Sequence, residues 1–140
     1  MKSIITSVLL LTVLAVPFAS AEPGKKGQKP DRIAHGERVD VKEYLVPGKT
    51  TIVNFTSAYC PPCQRISPLL DELHAQRDDV AVVKVDINRP DVRGIDWKAP
   101  VVAQYELRSV PSFQVYDAKG TLIAEGEAAA EMVLGWLQES

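Results

Sequence analysis

The chain has 140 residues, which is enough for one globular domain of ordinary size. Its 16 Lys and Arg nearly balance 18 Asp and Glu, which argues against the strongly basic face of a nucleic-acid-binding protein. An apolar content of 46% excludes a disordered or collagen-like chain, and two cysteines are too few for a disulfide-rich miniprotein.

The first 21 residues have the three parts of a secretory signal peptide. Lys2 is the positive start, residues 4–16 form an apolar run, and Ala19-Ser20-Ala21 is a small-residue cleavage site. The run of 13 residues is shorter than the roughly 20 that cross a bilayer as a helix, which favours cleavage after Ala21 over an uncleaved anchor. We therefore expect the mature chain to be periplasmic or secreted, where disulfides persist.

Residues 22–37 are predicted to be a flexible leader. Their first part, EPGKKGQKPDR, is rich in Pro, Gly and Lys and has no apolar period. The lysines of this segment are predicted to keep it soluble and not to bind a ligand. One domain is then predicted for residues 38–140.

The first half of this domain has the pattern of a strand, a helix and a strand. Residues 50–56 and 80–87 have apolar and β-branched residues at both odd and even positions, as interior strands do. The apolar residues within 61–77 are spaced as on one face of a helix. The apolar positions of the helix are Ile66, Leu69, Leu70 and Leu73. This order predicts a parallel pair of strands joined by a right-handed crossover.

The second half follows an irregular stretch at residues 88–98. Its predicted elements are a short helix at 100–106, strands at 112–116 and 121–124, and a closing helix at 128–138. Together the two halves predict an α/β domain with a central mixed β-sheet that has helices on both faces.

The sequence Cys60-Pro61-Pro62-Cys63 lies where the first interior strand meets the long helix. Cys60 is predicted at or just before the helix N-cap, where the helix dipole and free backbone N–H groups favour a thiolate. Cys63 follows one turn later, so the pair can cycle between dithiol and disulfide. Both prolines fall in the first turn, where a missing N–H matters least.

With these residues in place, the sequence resembles the thioredoxin superfamily over about residues 38–137, which implies a thioredoxin-like fold. Pro68 corresponds to the proline that kinks the family's active-site helix. Val110-Pro111 corresponds to the cis-proline loop that faces the active-site disulfide, and Lys84 to a lysine in the neighbouring strand.

The resemblance implies an enzyme, a thiol:disulfide oxidoreductase that acts on protein disulfides. Cys60 would attack the substrate, Cys63 would resolve the mixed disulfide, and Val110 and Pro111 would hold the substrate chain. No metal or organic cofactor is implied, so electrons would come from an upstream redox partner such as a membrane reductase. The lack of an inserted helical domain and of a dimerisation domain favours a monomeric reductase over an oxidant or an isomerase.

The sequence departs from the family at positions around the cysteines. Asn54 stands where most thioredoxins have a buried Asp that accepts a proton as the second cysteine attacks, so the family's general base is missing. Tyr59 replaces a Trp, and Pro61 removes one backbone N–H near the Cys60 sulfur, which predicts a less stabilised thiolate. The two prolines between the cysteines also stiffen this loop.

The sequence is also compatible with other functions of the cysteine pair. It could be a structural disulfide, or the chain could be a redox-inert or copper- or zinc-carrying binding module on the same fold. Further metal ligands would have to be His35 and His74, but His74 lies 11 residues past Cys63 on the polar side of the helix, too far along it to share a metal comfortably. Gln64 follows Cys63 where haem attachment requires His.

Three further residues have structural interpretations. Lys84 could be an ordinary charge at a strand edge, although its interior-strand context favours a place beside the cysteines. Trp97 and Trp136 are predicted to be packing residues and not ligand contacts. The stretch that contains Trp97 is several residues longer than in minimal thioredoxins, and this loop is predicted to shape a partner-binding surface.

Overall fold

The computed structural model describes residues 29–139, which form a five-stranded sheet in the order β1-β3-β2-β4-β5. The strands are β1 (Asp31–Ile33), β2 (Thr50–Thr56), β3 (Val80–Asp86), β4 (Ser112–Tyr116) and β5 (Leu122–Glu125). The helices are α1 (Pro61–Gln76), α2 (Pro100–Gln104) and α3 (Gly126–Gln138), with a 3-10 turn at Val41–Tyr44. The predicted signal peptide and the leader up to residue 28 lie outside the described residues.

The centre of the sheet is the parallel pair β2 and β3, which α1 joins as predicted. Nearly every residue of both strands is buried, which explains why neither has an alternating pattern. β4 runs antiparallel to β2, and β5 runs antiparallel to β4, so the sheet is mixed. The predicted bounds of β2 and β4 are confirmed, whereas the predicted hairpin strand lies one residue later and the short helix ends at Gln104.

Helices cover both faces of this sheet, as the sequence predicts. One apolar cluster packs α1 and α3 on the sheet and consists of Ile52, Leu70, Leu73, Val80, Val82, Phe113, Val115, Ala129 and Val133. The other packs α2 on the opposite face and includes Val53, Phe55, Val83, Val85, Val101 and Val102. Leu69, predicted among the apolar positions of α1, is exposed because it lies past the edge of the buried stripe.

The predicted leader is too long at its C-terminal end, since residues 31–33 form the edge strand β1, parallel to β3. Backbone hydrogen bonds hold this strand in the sheet. Only Ile33 of its three residues is buried, so the sequence has no alternating apolar pattern from which the strand could be predicted. Gly36 then approaches Arg89 so closely that a Cβ atom at residue 36 would lie 2.6 Å from the Arg89 backbone nitrogen. The segment is therefore part of the domain.

Candidate active site

The helix α1 begins directly after Cys60, because Pro61 and Pro62 occupy its first two positions. The first N–H of the helix therefore belongs to Cys63, and it donates to Cys60 Sγ over 3.2 Å. The Cys60 side chain is the N-cap, which confirms the predicted position at the positive end of the helix dipole. Because neither proline has an N–H, Cys63 is the one residue among the first three of the helix that can donate a backbone hydrogen bond to this sulfur.

Cys60 and Cys63 are joined by a disulfide, with their Cα atoms 5.2 Å apart. Both cysteines are buried, whereas the neighbouring Tyr59, Pro61 and Pro62 are exposed. The exposed residues form a rim around the pair, which we call the active-site rim. A partner that approaches Cys60 would meet this apolar rim first.

The loop before β4 lies beside the same sulfur. The Val110 carbonyl oxygen is 3.5 Å from Cys60 Sγ, and the Val110–Pro111 peptide bond is cis. Both residues are half-buried. The fold thus brings the residues that the resemblance assigns to substrate binding against the cysteine pair, from a position 50 residues away in sequence.

Asn54 lies in the middle of β2, only 1% exposed, and is paired in register with Lys84 of β3. Its neighbours Val53 and Phe55 belong to the apolar cluster on the α2 face of the sheet. Because successive side chains of a strand point to opposite faces, Asn54 lies on the face that α1 covers. Its amide donates to the Phe55 carbonyl oxygen over 3.5 Å, a long hydrogen bond. At this position the strand therefore offers a neutral amide and no proton-accepting carboxylate.

Lys84 is 5% exposed and fully hydrogen-bonded, and it lies in an interior strand, not at a sheet edge. Its Nζ donates to Ser67 Oγ over 2.6 Å, to the Ser67 carbonyl oxygen over 3.3 Å, and to the Asp71 carboxylate. A buried ammonium needs a counter-charge, and here α1 supplies it. Sequence reasoning missed Ser67 and Asp71, although their spacing of four and eight residues from Cys63 is a helical signal.

A pocket of about 350 Å³ opens beside Cys63, on the α1 side of the disulfide. Cys63, Ser67 and Asp71 of α1 line it, together with Arg32 of β1. The pocket is thus bounded by Cys63 and by polar or charged side chains that include Arg32, Ser67 and Asp71. Asn54 is not among its lining residues.

A second polar group that the sequence did not reveal connects the active-site segment to the long loop after β3. Ser57 Oγ donates to the Asn88 amide oxygen over 2.5 Å and accepts the Tyr59 N–H over 3.1 Å. Asn88 in turn donates to the Gly94 carbonyl oxygen. This chain of hydrogen bonds couples the orientation of the active-site rim to the loop.

The two tryptophans differ in their surroundings. Trp97 is 44% exposed, so the prediction that it is a packing residue is wrong. Its loop is held from inside by the buried carboxylate of Asp96, which accepts from Arg89 Nε over 2.7 Å, and Trp97 is left on the outer side. Trp136 packs, partly buried, against the cluster of α1 and α3, as predicted.

His74 is half-buried and contacts β3. The prediction that it lies on the polar side of α1 is therefore wrong. Its Nδ1 accepts the Val82 N–H over 2.9 Å, just before β1 begins to pair at Val83. Burial, and after it the charge of Lys49, lowers the pKa of this imidazole. The charges of Asp31 and Asp71 act in the opposite direction, and that of Lys84 in the same direction.

We expect this contact to make the protein less stable in mild acid. The folded state holds the pKa of His74 below its ordinary value of about 6.5, so the contribution is complete above pH 6.5 and is lost as pH falls toward the folded pKa. A hydrogen bond of this kind contributes on the order of 1 kcal/mol. Urea unfolding at pH 5, 6.5 and 8 measures the loss.

The matched control uses the other histidine. His74→Gln should flatten the slope of unfolding free energy against pH, whereas His35→Asn should keep it. His35 is more exposed and has a φ of 48°, which Asn tolerates. Equal slopes for both variants would show that the His74 contact does not carry the effect.

Within residues 29–139, no group of three or more His, Cys, Asp or Glu side chains is arranged to hold a metal ion. The structure places His74 on the Val82 N–H and His35 Nδ1 3.8 Å from Asp86. Across the same described residues, no helix has the length and apolar character needed to cross a membrane.

Comparison with known proteins agrees with this geometry. Thioredoxin H5 of Oryza sativa subsp. japonica is 32% identical over 73 residues, which are 52% of this chain and 48% of that protein. A thioredoxin H-type protein of Brassica campestris is 31% identical over 91 residues, which are 65% and 61% of the two chains. The matches thus span about half to three fifths of the length of these relatives.

A solved structure, that of spinach chloroplast thioredoxin f in its short form, shares the fold. It has a TM-score of 0.54 at 19% sequence identity and covers 84% of this chain and 97% of its own. The family model described as Thioredoxin matches residues 37–138, most of the sequence and all of the active-site elements. The chain therefore belongs to the thioredoxin family.

Proposed function

We propose that this protein is an extracytoplasmic thiol:disulfide oxidoreductase that reduces disulfides in protein substrates. The observation that carries the proposal is the Cys60–Cys63 disulfide at the N-terminus of α1, with the Cys63 N–H on Cys60 Sγ. A pair in this position can hold or release two electrons, and the helix end favours the thiolate of its first cysteine. Membership of the thioredoxin family supports the same chemistry.

Reduction of a substrate proceeds in two exchanges. The Cys60 thiolate attacks one sulfur of the substrate disulfide, and the other substrate sulfur leaves as a thiolate that takes up a proton. Cys63 then loses its proton and attacks Cys60 Sγ, which breaks the bond between Cys60 and the substrate. The substrate gains two electrons, and the Cys60–Cys63 disulfide is left behind.

The surroundings of Cys60 suit an extended protein chain as substrate. The active-site rim is exposed and apolar at Tyr59, and the Val110-Pro111 loop lies 3.5 Å from the sulfur on another side. A substrate segment held between the rim and this loop would present its disulfide to Cys60. Such contacts favour protein disulfides over small disulfides.

The oxidised pair needs a source of electrons for the next turnover. For an exported protein working as a monomer, we propose an upstream redox partner such as a membrane reductase. The export itself rests on residues 1–21 of the sequence. Cell fractionation with N-terminal sequencing tests it, and a mature chain that begins at Glu22 is the expected result.

Insulin reduction under dithiothreitol tests the activity. We expect the protein to accelerate precipitation of the insulin B chain, and the double variant Cys60→Ser with Cys63→Ser to leave it at the background rate. A redox-inert or metal-carrying module would not accelerate precipitation. Background rates for the unmodified protein would therefore overturn the proposal.

The direction of electron flow is tested by titration of the Cys60–Cys63 pair against glutathione. Proteins of this fold span about 150 mV in potential, or roughly 7 kcal/mol for two electrons. A reductase should lie near the reducing end of that span, at about −270 mV. A midpoint near −120 mV would identify an oxidant and overturn the proposed direction.

A further inference from the structure

Cys63 must lose a proton when it resolves a mixed disulfide. An ordinary thiol has a pKa of about 8.5 and is mostly protonated at neutral pH, so a base nearby accelerates its attack. The amide of Asn54 cannot take that proton. The acceptor is therefore water or a side chain other than Asn54.

Three side chains of α1 form a row that begins at this thiol. Cys63, Ser67 and Asp71 are spaced four residues apart, so they lie on one side of the helix as thiol, hydroxyl and carboxylate. All three line the pocket of about 350 Å³. A water molecule occupies roughly 30 Å³ in the liquid, so the pocket has room for several between these groups.

Each charged or titratable group that faces this row has a hydrogen-bond or ion-pair partner in the structure. Lys84 donates to Ser67 Oγ and to the Asp71 carboxylate, which holds both groups toward the sheet. Arg32, the other cation of the pocket, is 3.1 Å from Asp86 on β3. His74, whose charge would couple to Asp71, accepts the Val82 N–H.

We propose, on the basis of the function proposed above, that Asp71 accepts the proton of Cys63 through Ser67 and pocket water during resolution, and that Lys84 positions its carboxylate. The proton leaves the Cys63 thiol and ends on Asp71. The Cys63 thiolate bonds to Cys60 Sγ while the bond from Cys60 to the substrate sulfur breaks, and the substrate leaves as a thiolate. Asp71 then releases its proton to solvent through the pocket opening.

Stopped-flow measurement of the Cys60 mixed disulfide with a fluorogenic peptide disulfide separates the two exchanges. D71N should leave formation of the mixed disulfide unchanged and slow its decay by about tenfold or more at pH 6 to 7. The difference should vanish above pH 9, because solvent then deprotonates the thiol. E72Q is the matched control, since Glu72 is exposed beside Asp71, accepts a hydrogen bond from Gln76 and does not line the pocket.

Two further variants make the test specific to proton transfer. D71A should recover its decay rate in a concentration-dependent manner when formate is added, because the pocket is open to a small base. S67A keeps the ion pair of Lys84 and should show the same pH-dependent slowing, and it decides the question if the variants at residue 71 do not fold.

The outcomes are distinguishable. Decay of D71N at the unmodified rate at pH 6 to 7, or equal slowing at every pH, would overturn the role of Asp71, as would S67A behaving like E72Q. Failure of the unmodified protein to form any mixed disulfide would instead overturn the proposed function.

Discussion

Cys63→Ser is expected to accumulate mixed disulfides with substrate proteins, whereas Cys60→Ser accumulates almost none. The reason is the different position of the two sulfurs. Cys60 is at the N-cap, accepts the Cys63 N–H and faces the Val110 carbonyl, where a substrate would lie. Cys63 faces the pocket on the other side. The first sulfur can therefore attack a substrate, and the second can only release it.

The measurement is affinity capture from a periplasmic extract, followed by electrophoresis with and without reductant. We expect Cys63→Ser to retain at least about tenfold more reductant-released protein than Cys60→Ser. Cys63→Ser can form the covalent bond to the substrate but cannot resolve it, whereas Cys60→Ser cannot form that bond. The double serine variant gives the background. Equal trapping by the two single variants would show that the assigned roles are wrong.

N54D is expected to speed resolution and to lower stability in the same protein. The substitution places a carboxylate beside Lys84 in the register of β2 and β3, on the face that α1 covers. A carboxyl group there can take the Cys63 proton, so decay of the mixed disulfide at pH 7 should be about tenfold faster. In the D71N background the same substitution should restore the decay rate.

The stability loss follows from burial. Residue 54 is 1% exposed, and the three N–H groups of Lys84 already bond Ser67 and Asp71. A buried carboxylate without a full set of partners destabilises by about 2 kcal/mol, or roughly 10 °C in melting temperature. Burial also raises the pKa of a carboxyl above its unfolded value near 3.9, so the loss is small at pH 4 and grows as pH rises.

Stopped-flow decay and thermal melts between pH 4 and 8 measure the two effects together. Asn54→Leu is the matched control, because Leu has the same number of side-chain heavy atoms and the same branching at Cγ as Asp but no acidic group, and it should not accelerate decay. If N54D leaves the decay rate unchanged between pH 6 and 8, residue 54 has no access to the proton of Cys63. If its melting temperature rises, Lys84 has exchanged Asp71 for the new partner.

Local patterns in the sequence determined the elements that surround the cysteines. Branched apolar residues on both faces marked β2 and β3 because both faces are covered, and the prolines after Cys60 marked the start of α1. These signals act within one strand or one helical turn. They do not depend on which strands or helices are neighbours in the fold, and the N-cap position of Cys60 could be predicted from them directly.

The weaker elements required the whole fold. β1 has three residues, of which one is buried. It is a strand because its backbone pairs with β3, and its own sequence has no strand pattern. His74 and Trp97 were misplaced for a related reason. The first is turned toward the sheet by a strand N–H that β1 leaves uncovered, and the second is kept outside by a polar network within its own loop.

Tertiary structure alone decided which groups surround the disulfide. The Asn54 position was visible in the sequence, but the counter-charge of Lys84 comes from Asp71, 13 residues earlier, and the anchor of the active-site segment is Asn88, 31 residues after Ser57. Such contacts depend on the angle and register at which α1 packs on β3 and on the path of the loop that follows. A buried ammonium must find a carboxylate, but only the packed helix determines which one it reaches.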